Sequence, residues 1–166
     1  MDVAVIGAGI VGAACAWRLA ERGLKVLVLE RGQPAGGSTG KSAAGVRAQF
    51  ASETNIRLAQ ESISEYAAMP RSGYQPGGYL MLVPERQWAA HQKGVTLQQR
   101  LGVPSELLTP QEAQRHAAFD PAGLGGCSFC STDGFVDAHS LAFEYVRLAR
   151  ETDGVQLLQV STQHRR

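Results

Sequence analysis

Short runs of consecutive apolar residues alternate along this chain with longer segments whose apolar residues recur every three or four positions. Residues 2–6 form a β-branched run that stops at glycine and predicts a buried strand. Residues 10–22, rich in alanine and leucine, predict a helix closed by Gly23 at a C-cap position. Residues 25–30 (KVLVLE) read as a second continuous apolar strand. Strand, helix and strand in such short compass make a βαβ unit, which builds a parallel sheet through a right-handed crossover.

A loop rich in Gly, Ser and Ala covers residues 31–51. Ser52 can cap a helix reaching residue 69, with Ile56, Ala59, Ile63 and Tyr66 or Ala67 on one face and Pro70 ending it. Residues 78–83 (GYLMLV) predict a strand, and residues 84–101 an amphipathic helix stopped by Gly102. Thr109, Pro110 and Glu112 spell a capping box with proline at the first helical position. A strand over 124–130, a turn at Thr132-Asp133-Gly134, a helix over 138–151 capped by Asp137 and a strand over 155–160 complete the pattern. The expected architecture is α/β: one Rossmann-like nucleotide-binding domain over residues 1–166 with a parallel sheet, and residues 70–135 as a small β/α insertion.

Composition sharpens this picture in one respect. The chain holds 19 glycines among 166 residues, above a background of roughly 7%. They gather at Gly7, Gly9 and Gly12 and again at Gly36, Gly37 and Gly40. Charge, by contrast, excludes partners. Sixteen basic and 15 acidic residues leave a net charge of +1, which offers no field for nucleic acid and little attraction to a membrane surface. The apolar stretch after Asp2 lacks a basic n-region and is broken by glycines, so it does not read as a signal peptide. Cys15, Cys127 and Cys130 are too few for a disulfide framework, and a cytoplasmic location is the expectation.

The first glycine cluster, Gly7-Ala8-Gly9-Ile10-Val11-Gly12, follows a strand and opens a helix, as a dinucleotide fingerprint requires. Gly7 permits the turn, Gly9 leaves room for a pyrophosphate, and Gly12 lets helix and strand approach. The helix start aims its free N–H groups and positive dipole end at phosphate. Glu30 ends the second strand 18 residues after Gly12, close to the spacing of about 20 for a ribose-binding acid. Its carboxylate would accept from a 2′-hydroxyl and repel a 2′-phosphate, which disfavours NADP.

The second cluster, Ala35-Gly-Gly-Ser-Thr-Gly40-Lys41-Ser42, also fits a relaxed phosphate-binding P-loop with alanine in place of the first glycine. Two features oppose an NTPase. Residues 31–34, Pro34 among them, separate the loop from its strand, and no later apolar strand ends in an aspartate for magnesium. The loop reads better as an accessory to the first, with Ser38, Thr39, Ser42 and the backbone from Lys41 to Ala44 as donors for the far side of a dinucleotide. Cys127 and Cys130 form a CxxC without a second ligand pair for zinc, and they read as small buried strand residues. His91, His116, His139 and His164 show no ligand spacing, and no metal site is expected.

The run DVAVIGAGIVGAACAWRLAERGLKVLVLERG, followed by GGSTGKSAAGVRAQF and NIRLAQES, resembles the FAD-dependent oxidoreductases of the D-amino-acid oxidase superfamily, with its glycine oxidase, sarcosine oxidase and proline dehydrogenase groups. GGYLMLVPE, LTPQEAQ and STDGFVDAHSLAFEYVRLARETDGVQLL follow in the family's order, so the resemblance covers nearly the whole chain. It implies FAD contacts at Gly7, Ala8, Gly9, Ile10, Val11 and Gly12, and at Glu30 and Arg31 around the adenosine. It places Ser38, Thr39, Lys41, Ser42, Ala43 and Ala44 along pyrophosphate and flavin, and a backbone contact to adenine near Gln163. The second loop has neither His nor Cys, so the FAD is expected to be non-covalent.

The implied reaction is oxidation of an amine or amino acid by hydride transfer to flavin, with a small-molecule substrate bound beside the 70–135 insertion. Arg47 is open to two readings, a substrate or flavin partner and a solvated loop residue. Family members are more than twice as long, which implies that this chain carries only the N-terminal part. Two alternatives therefore stand beside the enzyme: a short flavoprotein reduced by NADH, and a truncated, catalytically silent FAD-binding module. A sheet without its returning strand is also expected to self-associate through an exposed edge.

Overall fold

A computed structural model describes residues 1–159. In chain order the elements are β1 (Val3–Ile6), α1 (Ile10–Ala20), β2 (Val26–Glu30), a 3₁₀ turn (Thr39–Lys41) and β3 (Gly45–Val46). There follow α2 (Glu53–Ala68), β4 (Tyr79–Pro84), α3 (Glu85–Arg100), β5 (Ser105–Leu108) and α4 (Pro110–Ala113). The last are β6 (Leu124–Cys130), β7 (Gly134–Phe135), α5 (Ala138–Glu151) and β8 (Val155–Gln159). The chain divides into two compact units, one made of Met1–Ala44, Pro70–Gly73 and the residues from Val136 on, the other of Gly45–Met69 and Tyr74–Phe135.

The first unit is built on a parallel sheet in the order β1-β2-β8. Val3 pairs with Val26 and Ile6 with Leu29, while Val26 pairs with Val155 and Glu30 with Gln159. Helices α1 and α5 pack together beside it, and small residues set their approach: Ala13, Ala16 and Ala20 on α1, Ala142 and Ala149 on α5. Trp17 and Tyr145 meet with ring centroids 5.7 Å apart. Gly23 adopts φ +80° just after α1, as its capping position anticipates. Asp137 accepts the Ser140 N–H at 2.7 Å and caps α5.

One expectation for this unit fails. The apolar run at residues 2–6 reads as a strand buried on both faces, yet burial along β1 alternates and Ile6 is 87% exposed. Among the described residues nothing covers the face that carries Ala4, Ile6 and Leu158. The sheet is therefore covered on the helical side only.

The second unit is antiparallel, with β4 and β5 flanking β6. Helix α3 crosses the β6 glycines: a Cβ at Gly126 would lie 2.3 Å from the Trp88 ring, so the glycine is a packing requirement. Ile56 of α2 is fully buried against Ala48, Val103 and Cys130, with Ala59 and Ile63 beside it. Tyr66, half-buried, takes the next position on that face, and Ala67 points to solvent. Ser52 caps α2 through the Asn55 N–H, and the capping box at Thr109 and Glu112 forms with both of its hydrogen bonds. A small ribbon joins β3 to β7, with Gly45 opposite Phe135 and Val46 opposite Gly134. Strand β5 has no counterpart in the sequence expectations.

Candidate functional site

In the first unit, the two glycine loops are tied together by named atoms. The Ala8 N–H donates to Glu30 Oε2 at 2.8 Å, and the Ala8 carbonyl accepts the Ala35 N–H at 3.0 Å. Glu30 Oε1 accepts the Gly32 N–H at 2.8 Å. These two backbone donors, the Ala8 bond first, hold the Glu30 carboxyl below its ordinary range, with burial opposing them. Each carboxylate oxygen has a second lone pair free. A pair of ribose hydroxyls is the ligand such a group can still accept from.

At the start of α1 the Ile10 N–H donates to Thr39 Oγ1 at 3.1 Å. A Cβ on Gly9 would lie 3.0 Å from the same oxygen, so a bare glycine and a small hydroxyl share one concave spot. Gly12 has no alternative at all: its Cβ would stand 2.0 Å from the Gly7 carbonyl oxygen. Gly7 itself takes φ +96°. The helix has no acidic residue in its first turn to compete for its N–H groups. Backbone N–H donors, the dipole end, a bare glycine and an acid at the neighbouring strand end together match what a dinucleotide pyrophosphate and ribose need. The residues present therefore fit FAD.

The sequence candidates divide into those the structure gathers and those it leaves apart. Gly7, Ala8, Gly9, Ile10, Gly12, Glu30 and Thr39 converge on the α1 start. Val11 and Arg31 are exposed close by in sequence, and so are Ser38, Lys41, Ser42 and Ala43. Ala44 adopts φ +51°, its N–H donates to Ser42 Oγ and its carbonyl accepts from Val136. Gln163 lies outside the described residues. Ala35 is a site residue that the sequence reading does not single out: it has φ +62°, is buried, and bridges Ala8 to the Gly40 N–H. Its place where the P-loop pattern has glycine is the one local signal of that role.

The P-loop alternative loses its geometry here. A P-loop delivers its lysine from a turn that opens a helix, whereas Lys41 closes a three-residue 3₁₀ turn and is followed by the short strand β3. Cys127 and Cys130 are buried, and burial pushes both thiols up, so neither is poised for redox work. Among the described residues no cluster of His, Cys, Asp or Glu could hold a metal, and no helix is long and apolar enough to cross a membrane.

The second unit carries its own concavity, a pocket of about 450 Å³. Arg47, Phe50, Tyr66 and Tyr79 line it together with Val46 and Ile63. The size falls within the range of small-ligand sites, roughly 300–1,000 Å³. Arg47 lies over the Phe50 ring at 5.2 Å and pairs with no carboxylate among the described residues. A cation on an apolar and aromatic wall suits a small organic anion.

Comparison with known proteins gives a consistent result. A sequence model described as DAO, FAD dependent oxidoreductase, matches residues 2–164. L-proline dehydrogenase from P. horikoshii has a similar structure, with a TM-score of 0.85 at 31% identity over 95% of this chain and 43% of that protein. Glycine oxidase from Geobacillus kaustophilus gives 0.74 at 27% identity, over 95% of this chain and 46% of that one. An anaerobic glycerol-3-phosphate dehydrogenase of Escherichia coli contains a polypeptide 31% identical over 163 residues, which are 94% of this chain and 30% of that relative. The chain thus spans less than half the length of each of these relatives.

Proposed function

The chain belongs to the FAD dependent oxidoreductase family, and we propose that it is the FAD-binding part of an enzyme that oxidises a carbon–nitrogen bond in a small amine or amino acid. The observation that carries this reading is the junction around Ala8, where Glu30, bare Gly9 and Thr39 meet at the start of α1. FAD would be held non-covalently, since residues 31–51 contain neither His nor Cys.

Glu30 would accept the ribose hydroxyls, with Arg31 beside the adenosine. The N–H groups of Gly9, Ile10 and Val11 would take the pyrophosphate, and the Thr39 hydroxyl would turn from Ile10 to a phosphate oxygen. Ser38, Lys41, Ser42, Ala43, Ala44 and Gln163 complete the proposed cofactor contacts. When bound, the flavin supplies the acceptor for a hydride. Arg47 would hold a substrate carboxylate in its pocket, and the apolar wall would take the substrate's side chain. A cytoplasmic location and self-association through the free edge of β1 belong to the same reading.

Two relatives named for amino acids, L-proline dehydrogenase and glycine oxidase, support the amine reading. The glycerol-3-phosphate dehydrogenase relative favours a runner-up in which a carbon–oxygen bond is oxidised. The test is anaerobic: the FAD-loaded protein is challenged in turn with proline, glycine, sarcosine, glycerol 3-phosphate and NADH while the flavin's visible absorption is followed. Bleaching by an amino acid is the expected result. Bleaching by glycerol 3-phosphate alone replaces it with the runner-up, and bleaching by NADH alone makes the chain an NADH-reduced flavoprotein. Bound flavin that none of them bleaches leaves a silent binding module.

A further inference from the structure

The segment that carries Arg47 is pinned by a buried side-chain network in which every proton can be assigned. Asp133, fully buried, accepts the Ala48 N–H on Oδ1 at 2.8 Å and the Gln49 side-chain amide on Oδ2 at 3.1 Å. Gln49 Nε2 also donates to the Tyr79 carbonyl at 2.9 Å. Both partners of that nitrogen only accept, so the amide has one orientation, with Oε1 toward Ser128. Ser128 Oγ lies 2.6 Å from Oε1 and donates to it. Its single proton is then committed, so His91 Nε2, 2.8 Å away, donates to Ser128. Donation runs from His91 through Ser128 and Gln49 to Asp133. A carboxamide in the middle makes this a clamp rather than a proton relay.

The clamp grips the backbone on both sides of the pocket's cation. The Ala48 N–H belongs to the peptide unit that follows Arg47, and Gln49 is the next side chain. Before Arg47, Gly45 and Val46 are paired to β7; after it, the Phe50 carbonyl accepts from Gln98 Nε2 at 2.9 Å. Arg47 alone in this arch points a polar side chain into the pocket. Both Asp133 oxygens face N–H donors, so the position demands a group that only accepts. Asparagine would turn its own NH₂ on Gln49 or on Ala48.

We propose that Asp133 is a positioning residue for Arg47: by fixing the peptide after Arg47 and the Gln49 amide, it sets the guanidinium to receive a carboxylate in the pocket. This rests on the reading of that pocket as a carboxylate site. The test uses calorimetry on the 166-residue chain, with phenylacetate as the anion and phenylacetamide as its neutral counterpart, each variant held well below its melting temperature. Arg47→Met should weaken phenylacetate at least tenfold and leave phenylacetamide unmoved. Asp133→Asn should weaken phenylacetate about tenfold, again sparing the amide, with FAD affinity unchanged.

Loss in Arg47→Met but wild-type binding in Asp133→Asn overturns the positioning role while the pocket reading stands. Wild-type phenylacetate binding in Arg47→Met removes both. If Asp133→Asn does not fold, Ser128→Ala, which frees Gln49 Oε1, is read in its place: weakened phenylacetate binding supports the clamp, and wild-type affinity overturns it. Independently, the neutral His91 ring must carry its proton on Nε2 by nitrogen NMR, and an Nδ1-protonated ring contradicts the assigned chain.

Discussion

The two units of this chain build recognition from opposite materials. The first uses backbone: N–H groups at the start of α1, a glycine whose missing side chain leaves space, and one carboxylate set on two peptide N–H groups. The second uses side chains, with Arg47 on an aromatic wall and a buried Asp133–Gln49–Ser128 clamp behind it. A backbone site tolerates little change in residue size, because its atoms cannot rotate away. A side-chain site tolerates size but depends on hydrogen-bond polarity.

The largest expected effect tests the rigid half of that contrast. Gly12→Val drives a side chain into the Gly7 carbonyl 2.0 Å from its Cβ. It should cost about 3 kcal/mol or more and abolish retention of FAD, read by flavin absorption after gel filtration and by thermal unfolding. Glu30→Gln comes next. The amide must turn an NH₂ toward one of two N–H donors, a loss of about 1.5–3 kcal/mol, so FAD should bind roughly ten- to a hundredfold more weakly.

Acid reproduces that loss in the wild-type protein. The folded Glu30 carboxyl is lowered from its ordinary value, so its contribution is complete above the ordinary carboxylate range and disappears as pH falls through the lowered one. FAD affinity titrated over that window should fall in the wild type and stay flat, from its weaker starting value, in Glu30→Gln.

Gly126→Ala probes the second unit for comparison. Its methyl meets the Trp88 ring at 2.3 Å, but the ring can shift, and a loss of about 1–3 kcal/mol in thermal stability is expected. Thr39→Val is the mildest change. It keeps the shape and removes the acceptor of the Ile10 N–H, at about 1 kcal/mol or roughly a fivefold weaker FAD complex.

The same contrast explains what can be read from the residues alone. Backbone-built features leave local marks: the glycine spacing, the acid ending KVLVLE, the Thr109 capping box and the caps at Ser52 and Asp137 all lie within a few residues of what they act on. The sheet around β2 and the α1 start are legible for that reason. The clamp is not, because Gln49 meets Ser128 and Asp133 across 79 and 84 residues, and no spacing in the chain announces it. Strand β5 escapes the pattern because Ser105–Leu108 is four residues of mixed polarity whose identity comes from its pairing with β6. Ala35 shows a third kind of failure. An alanine at φ +62° is unfavourable locally and is held there by its bonds to Ala8 and Gly40. Tertiary contact overrides the local preference.

The central claim is that the junction around Ala8 holds FAD. Titrating FAD into the purified protein, with binding read from the flavin's fluorescence and the released ligand identified by mass, tests it most directly. One FAD per chain, displaced by ADP and absent from Gly12→Val, is the predicted result. A protein that takes up no flavin, or that binds it equally well in Gly12→Val, would contradict the account.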